Sequence, residues 1–163
     1  MEGDERATDL DWLATELSRC EWPRYLKRGV IHGDLFVDNA RFHKGVLCGV
    51  LDFEMASNGP LAYDIAVAIM DWCFSSGEFD ADRASALVTG YRRKRELDKF
   101  EQSQLLSLCV YAACRFTITR FYDFEVRVRP DAERKYKDYR HFLARTKSLL
   151  ALSADTFNEL VFR

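Results

Sequence analysis

The chain has 163 residues, of which 48% are hydrophobic and 13% aromatic, enough for one compact domain with a buried core. Its 24 Lys and Arg stand against 26 Asp and Glu, a formal net charge of -2, and this balance argues against a nucleic-acid or membrane-surface protein. The five cysteines, Cys20, Cys48, Cys73, Cys109 and Cys114, form an odd set without a C-x-x-C pair. They read as reduced thiols of a cytoplasmic protein, neither a disulfide framework nor a zinc site. An acidic start without an apolar leader region, and the lack of any run of about 18 apolar residues, lead to the same expectation of a soluble, intracellular chain.

Leu10, Leu13 and Leu17 recur at helical spacing after Thr8 or Asp9 as N-cap, which predicts a short amphipathic helix to about Arg19, ended by Trp22-Pro23. Gly29-Val30-Ile31 then leads into His32-Gly33-Asp34. The runs Ala40 to His43 and Val46 to Leu51, separated by Lys44-Gly45, predict a β-hairpin, and these are the only strands the pattern supports. From Leu61 the period becomes helical, with Leu61, Ile65, Ala68, Ile69 and Trp72 on one face. Further helices are expected over 82–95, 98–126 and 131–152, with Pro130 marking a break, and 155–162 reads as a short helix or an apolar tail. The expected fold is α+β and mostly helical.

The stretch that carries chemistry is His32-Gly33-Asp34-Leu35-Phe36-Val37-Asp38-Asn39, followed thirteen residues after Asn39 by Asp52-Phe53. It follows the pattern H-x-D-L-x-x-x-N with a later D-F at a strand end, the arrangement of a phosphoryl-transfer loop. A nucleophilic hydroxyl needs a carboxylate to orient it and take its proton, the role expected of Asp34. Phosphate oxygens need Mg²⁺, a hard cation that takes oxygen ligands, and the Asn39 amide and Asp52 carboxylate can supply them. Each fragment alone is common in ordinary turns; their conjunction around a hairpin is what makes the pattern specific. His32, between Ile31 and Gly33, reads as a buried scaffold residue, while His43 and His141 carry no signal. Asp64, at the start of a helix, reads first as a structural carboxylate facing free N–H groups. Arg115, Arg120 and Arg127 can bind an anion on the acceptor or line a salt-bridged helix face, and Arg92 to Arg95 reads as a basic helix C-terminus.

Together with Gly49-Val50-Leu51-Asp52-Phe53, Gly59-Pro60-Leu61, Tyr63-Asp64 and Asp71-Trp72-Cys73, the motif resembles the homoserine kinases of the aminoglycoside-phosphotransferase and choline-kinase-like superfamily. Leu26 to Ile31 and Arg115-Phe116 to Asp123 are similar to that group as well. The resemblance implies a protein-kinase-like C-terminal lobe and transfer of the γ-phosphate of ATP to the hydroxyl of L-homoserine, a step of threonine biosynthesis. It further implies Asp34 as base, Asn39 and Asp52 as Mg²⁺ ligands, and Asp64 as a brace for the loop. For a zwitterionic acceptor, Asp71 and Arg120 are candidate contacts, with Trp72 as a wall. Choline-like or aminoglycoside acceptors are the alternative substrates, and a non-catalytic binding module or relic is the alternative function.

Only 31 residues precede His32, there is no G-x-G-x-x-G, and Lys27 lies too close to the loop to serve as the phosphate-contacting lysine. The expectation is a single catalytic lobe, 1–163, without its N-terminal ATP clamp, a piece of a competent kinase given that Asp34, Asn39 and Asp52 are intact. An exposed apolar face near the hairpin then invites self-association or the missing lobe. Glu54, where protein kinases have the glycine of D-F-G, counts against a protein kinase.

Overall fold

The computed structural model describes residues 2–20, 23–127 and 138–163. The elements in chain order are α1 (Glu2–Arg19), β1 (Arg28–Ile31), β2 (Ala40–His43), β3 (Val46–Val50), β4 (Ser57–Pro60), α2 (Leu61–Trp72), β5 (Phe74–Ser75), β6 (Glu78–Phe79), α3 (Ala81–Arg92), α4 (Lys99–Phe121), α5 (Tyr139–Leu150) and α6 (Ala154–Val161). The class is the mostly helical α+β one that the sequence pattern predicts. No helix among the described residues is long and apolar enough to cross a membrane.

The core is helical because the longest apolar stretches are helical in period. In α2, Ala62, Tyr63 and every residue from Ile65 to Met70 are buried, so this helix is enclosed by its neighbours on nearly all sides. Helix α4 packs against both α2 and α5. It starts in a capping box: the Glu101 amide donates to Asp98 at 2.9 Å and the Asp98 amide donates to Glu101 at 3.1 Å. Glu101 is fully buried and takes its remaining partner from the Arg95 guanidinium, which leaves no unpaired charge at that end of the core. A π turn, Tyr122–Val126, closes α4.

Among the described residues, three small antiparallel sheets decorate this body: β1–β4, β2–β3 and β5–β6. The predicted hairpin is present as β2–β3, turning through Lys44 and Gly45, both at positive φ. The β1–β4 ladder was not expected, because Ser-Asn-Gly-Pro contains no β-branched or aromatic residue; tertiary packing against β1 overrides that weak propensity. Gly29 faces Gly59 in its register. Helix α1 begins well before Thr8, since Glu5 and Ala7 favour the helix and nothing breaks it there. Asp9 therefore caps no helix and instead accepts a hydrogen bond from the Tyr139 hydroxyl at 3.0 Å. The expected break at Pro130, the helix start at 131 and Trp22 lie outside the described residues.

Candidate active site

The loop 32–39 leaves β1 and is held from below by the first turn of α2. The two carboxylate oxygens of Asp64 accept the amides of His32 and Gly33, each at 2.8 Å. Gly33 adopts φ +76°, and a Cβ there would lie 3.0 Å from the Met55 carbonyl, so both the backbone conformation and the space call for glycine. The His32 ring closes the loop on itself. Its Nδ1 accepts the Asp34 amide at 3.3 Å and its Nε2 lies 2.8 Å from the Leu51 carbonyl. An amide only donates and a carbonyl only accepts, which places the ring proton on Nε2. The ring also packs on Phe53, centroids 4.7 Å apart, so one buried histidine ties the loop to the segment that carries Asp52.

Asn39 is brought back against Asp34 by two short backbone links, Phe36 amide to Asp34 carbonyl at 2.8 Å and Asn39 amide to Phe36 carbonyl at 3.0 Å. Its side-chain Nδ2 donates to the Asp34 carbonyl at 2.8 Å and to the Asp34 carboxylate at 3.1 Å. The far end of the hairpin is pinned to the same residue, with the Leu51 amide donating to the Asn39 carbonyl at 2.8 Å. Asp52 follows immediately at φ 62° and ψ 66°, a left-handed conformation that costs a non-glycine residue about 1 kcal/mol or more. Its carboxylate caps no helix.

Asp34 is half-buried, and burial raises its carboxyl above the ordinary aspartate value. The positive charge of Arg120 and the Asn39 hydrogen bond pull it back down, the Asp52 charge pushes it up, and Arg115 lowers it slightly. Asp34, Asn39 and Asp52 thus form one electrostatic group. The Asn39 amide points its nitrogen at Asp34, which leaves its oxygen for another partner. An amide oxygen and an exposed carboxylate suit Mg²⁺, which takes one or two protein oxygens and fills the rest of its shell with phosphates and water. No cluster of three or more His, Cys, Asp or Glu suited to a metal occurs among the described residues.

The remaining candidates hold the loop from the side. The Asp71 carboxylate accepts the Val37 amide at 2.9 Å and pairs with Arg145 at 2.8 Å. The Trp72 indole donates to the Leu35 carbonyl at 3.0 Å. Arg120 lies among aromatic rings, its guanidinium 4.9 Å from the Phe36 centroid and 4.2 Å from that of Phe142, with its Nε buried and unpartnered. Phe36 itself is buried edge-on against Phe116 at 4.6 Å. These contacts make Phe36 the apolar anchor of the loop and Arg120 a cation stacked behind it.

Arg145 escaped sequence reasoning, and Tyr63 entered it only as part of the Tyr63-Asp64 motif, without a role of its own. Arg145 sits 74 residues from Asp71, and its spacing on α5 resembles that of any amphipathic-helix arginine. Tyr63 meets Arg115 at 3.2 Å, and the same guanidinium reaches the Gly33 carbonyl at 3.4 Å. Both flank an open cleft of about 230 Å³ on the β1–β4 side of the loop.

A half-buried carboxylate beside an amide and a second carboxylate, held on a loop braced by a helix N-terminus, fits a phosphotransferase. The chain belongs to the phosphotransferase enzyme family, APH, whose sequence profile matches residues 2–97. It is similar to the homoserine kinase of Afipia carboxidovorans, 44% identical over 131 residues that make up 78% of this chain and 40% of that protein. The homoserine kinase of Methylobacterium radiotolerans is 46% identical over 122 residues, 74% of this chain and 38% of the relative. That of Parvibaculum lavamentivorans is 41% identical over 142 residues, 86% and 44% respectively. The chain therefore spans roughly two-fifths of the length of these curated relatives.

Proposed function

We propose that this chain is the catalytic lobe of an ATP-dependent small-molecule kinase that phosphorylates the side-chain hydroxyl of L-homoserine, a cytoplasmic step toward threonine. The observation that carries the reading is the Asn39 amide clasping Asp34 at 3.1 Å with Asp52 charged beside them. The names of the similar proteins supply the substrate.

In this mechanism Asp34 accepts the proton of the acceptor hydroxyl as its oxygen attacks the γ-phosphorus. The bond between that phosphorus and the β,γ-bridging oxygen breaks, and ADP departs with the electron pair. Asn39 and Asp52 would hold Mg²⁺, which neutralises phosphate charge when bound. The Asn39 bond fixes the direction of the Asp34 carboxylate, and the buried His32 and the partly buried Asp64 keep the loop from shifting under load. We assign the ATP clamp to a lobe outside this stretch, packed on the exposed apolar side chains around the hairpin, Phe42, Val46, Leu47, Leu51 and Phe53; left uncovered, they promote self-association.

The test is ADP release by the full-length protein with Mg²⁺, ATP and L-homoserine, wild type against Asp34→Asn. Homoserine-dependent turnover that falls about 10²- to 10⁴-fold in the variant is expected. Full activity in Asp34→Asn removes Asp34 as the base, and turnover indifferent to homoserine removes the acceptor. A non-catalytic role predicts no turnover in either protein.

A further inference from the structure

The cleft on the β1–β4 side of the catalytic loop is lined by Arg28 and Arg115, with Tyr63, Tyr111, Asn58 and Gly33 among its walls and no carboxylate in its lining. Arg115 gives its hydrogen bonds to the Gly33 carbonyl and the Tyr63 hydroxyl. Arg28 gives its bonds to Asn58, through the side-chain oxygen at 3.3 Å and the backbone carbonyl at 2.7 Å. All four acceptors are neutral, and neither guanidinium is in an ion pair among the described residues. Two guanidinium groups that line one small cleft, neither in an ion pair, create a site for an anion, because each retains donors in a planar fork suited to a carboxylate.

We propose that this cleft binds the carboxylate end of the acceptor, with Arg115 and Arg28 as its cationic partners, while the hydroxyl end lies at Asp34. The inference rests on the acceptor reading above and adds to it the residues that select a hydroxy acid. Arg115 holds the carbonyl of Gly33, the residue before Asp34, so the anion site and the base are joined through one peptide unit. A purely cationic acceptor, of the choline or aminoglycoside kind, meets two like charges there and is repelled. Asp71 and Arg120, the contacts expected from the sequence, are engaged with Val37 and Arg145 and with the Phe36 and Phe142 rings, whereas Arg115 opens onto solvent-accessible space.

The experiment is calorimetric titration of the full-length protein with L-homoserine, with 4-hydroxybutyrate, which keeps hydroxyl and carboxylate, and with 3-amino-1-propanol, which lacks the carboxylate. The carboxylate-bearing compounds should bind about tenfold or more tightly than 3-amino-1-propanol. In Arg115→Gln and in Arg28→Gln that gap should shrink while the affinity for 3-amino-1-propanol does not fall. Arg28 is exposed on a strand, so its variant tests the site even if Arg115→Gln lowers stability. Equal affinity for all three compounds in the wild type, a gap that survives both substitutions, or no binding of either carboxylate overturns the anion site. Tight 4-hydroxybutyrate binding without homoserine binding keeps the site and overturns homoserine as acceptor.

Discussion

Asp64 and His32 are joined across 32 residues of sequence by a 2.8 Å hydrogen bond from the His32 amide to a carboxylate oxygen, and the other oxygen takes the Gly33 amide at the same distance. Both bonds are charge-assisted and both restrain the backbone immediately before Asp34. In Asp64→Asn one oxygen becomes an NH₂ facing an N–H donor, so one bond is replaced by a donor–donor clash. The expected loss is about 2 kcal/mol of unfolding free energy, read from urea denaturation. A variant within about 0.5 kcal/mol of wild type on that measurement shows that the clasp contributes little.

The raised carboxyl of Asp34 has opposite consequences for stability and for turnover. Its folded-state value lies above the unfolded one, so the associated stabilisation is complete below the unfolded value and is lost as pH rises through the folded value. At neutral pH the protein carries a half-buried carboxylate at a cost. Asp34→Asn removes that cost and keeps an oxygen for the Asn39 amide, so the variant should be as stable as wild type or more so at pH 7 and should lose that advantage on acidification. Turnover should fall on the acid side with a midpoint above the ordinary aspartate range, as the base becomes protonated. Denaturation of both proteins across the acid range, with a pH–rate profile of the wild type, checks the two halves together; an Asp34→Asn variant clearly less stable at pH 7 contradicts the first.

What could be read in the sequence was what is local. The meeting of Asp34 and Asn39 was legible because five residues of loop and a two-residue hairpin turn leave few ways to arrange them, and the α2 pattern announced a helix whose first turn carries Asp64. The β4 strand was not legible, since Ser57-Asn58-Gly59-Pro60 has the composition of a turn and pairs only because β1 lies beside it. The partners of Asp71 and Trp72 were equally hidden. Arg145 and Leu35 are 74 and 37 residues away, respectively, and nothing in a periodic pattern records which exposed-looking arginine returns to which aspartate. Arg115 was legible as one of three arginines able to bind an anion or line a salt-bridged face, but its spacing on α4 does not say which of the three borders the cleft.

Gly59 and Ile31 make a packing test independent of chemistry. A Cβ added at Gly59 would lie 2.2 Å from Cδ1 of Ile31, a buried side chain with little room to move. Gly59→Ala should cost about 1–3 kcal/mol through overpacking. Ile31→Val, which removes that Cδ1, should cost about 1 kcal/mol alone. The double variant should be more stable than the sum of the two losses implies, because the shortened side chain removes the worse clash and leaves only Cγ1 at 2.9 Å. Additive losses in chemical denaturation mean that the β1–β4 pair relaxes by another route.

Asp52 combines a left-handed backbone with a proposed metal-binding carboxylate, and substitutions can separate the two. Glycine adopts φ 62° without a steric penalty, asparagine tolerates it, and alanine does not. Asp52→Gly should therefore be more stable than Asp52→Ala by about 1 kcal/mol, with Asp52→Asn close to wild type. If strain alone governed this position, Asp52→Gly would be the best enzyme of the series. If the carboxylate is the Mg²⁺ ligand, all three variants lose turnover by about two orders of magnitude or more, whatever their stability, and the Mg²⁺ concentration for half-maximal rate rises. Thermal melts beside Mg²⁺ titrations of ADP release distinguish these cases: activity that tracks stability across the three removes Asp52 from the metal site.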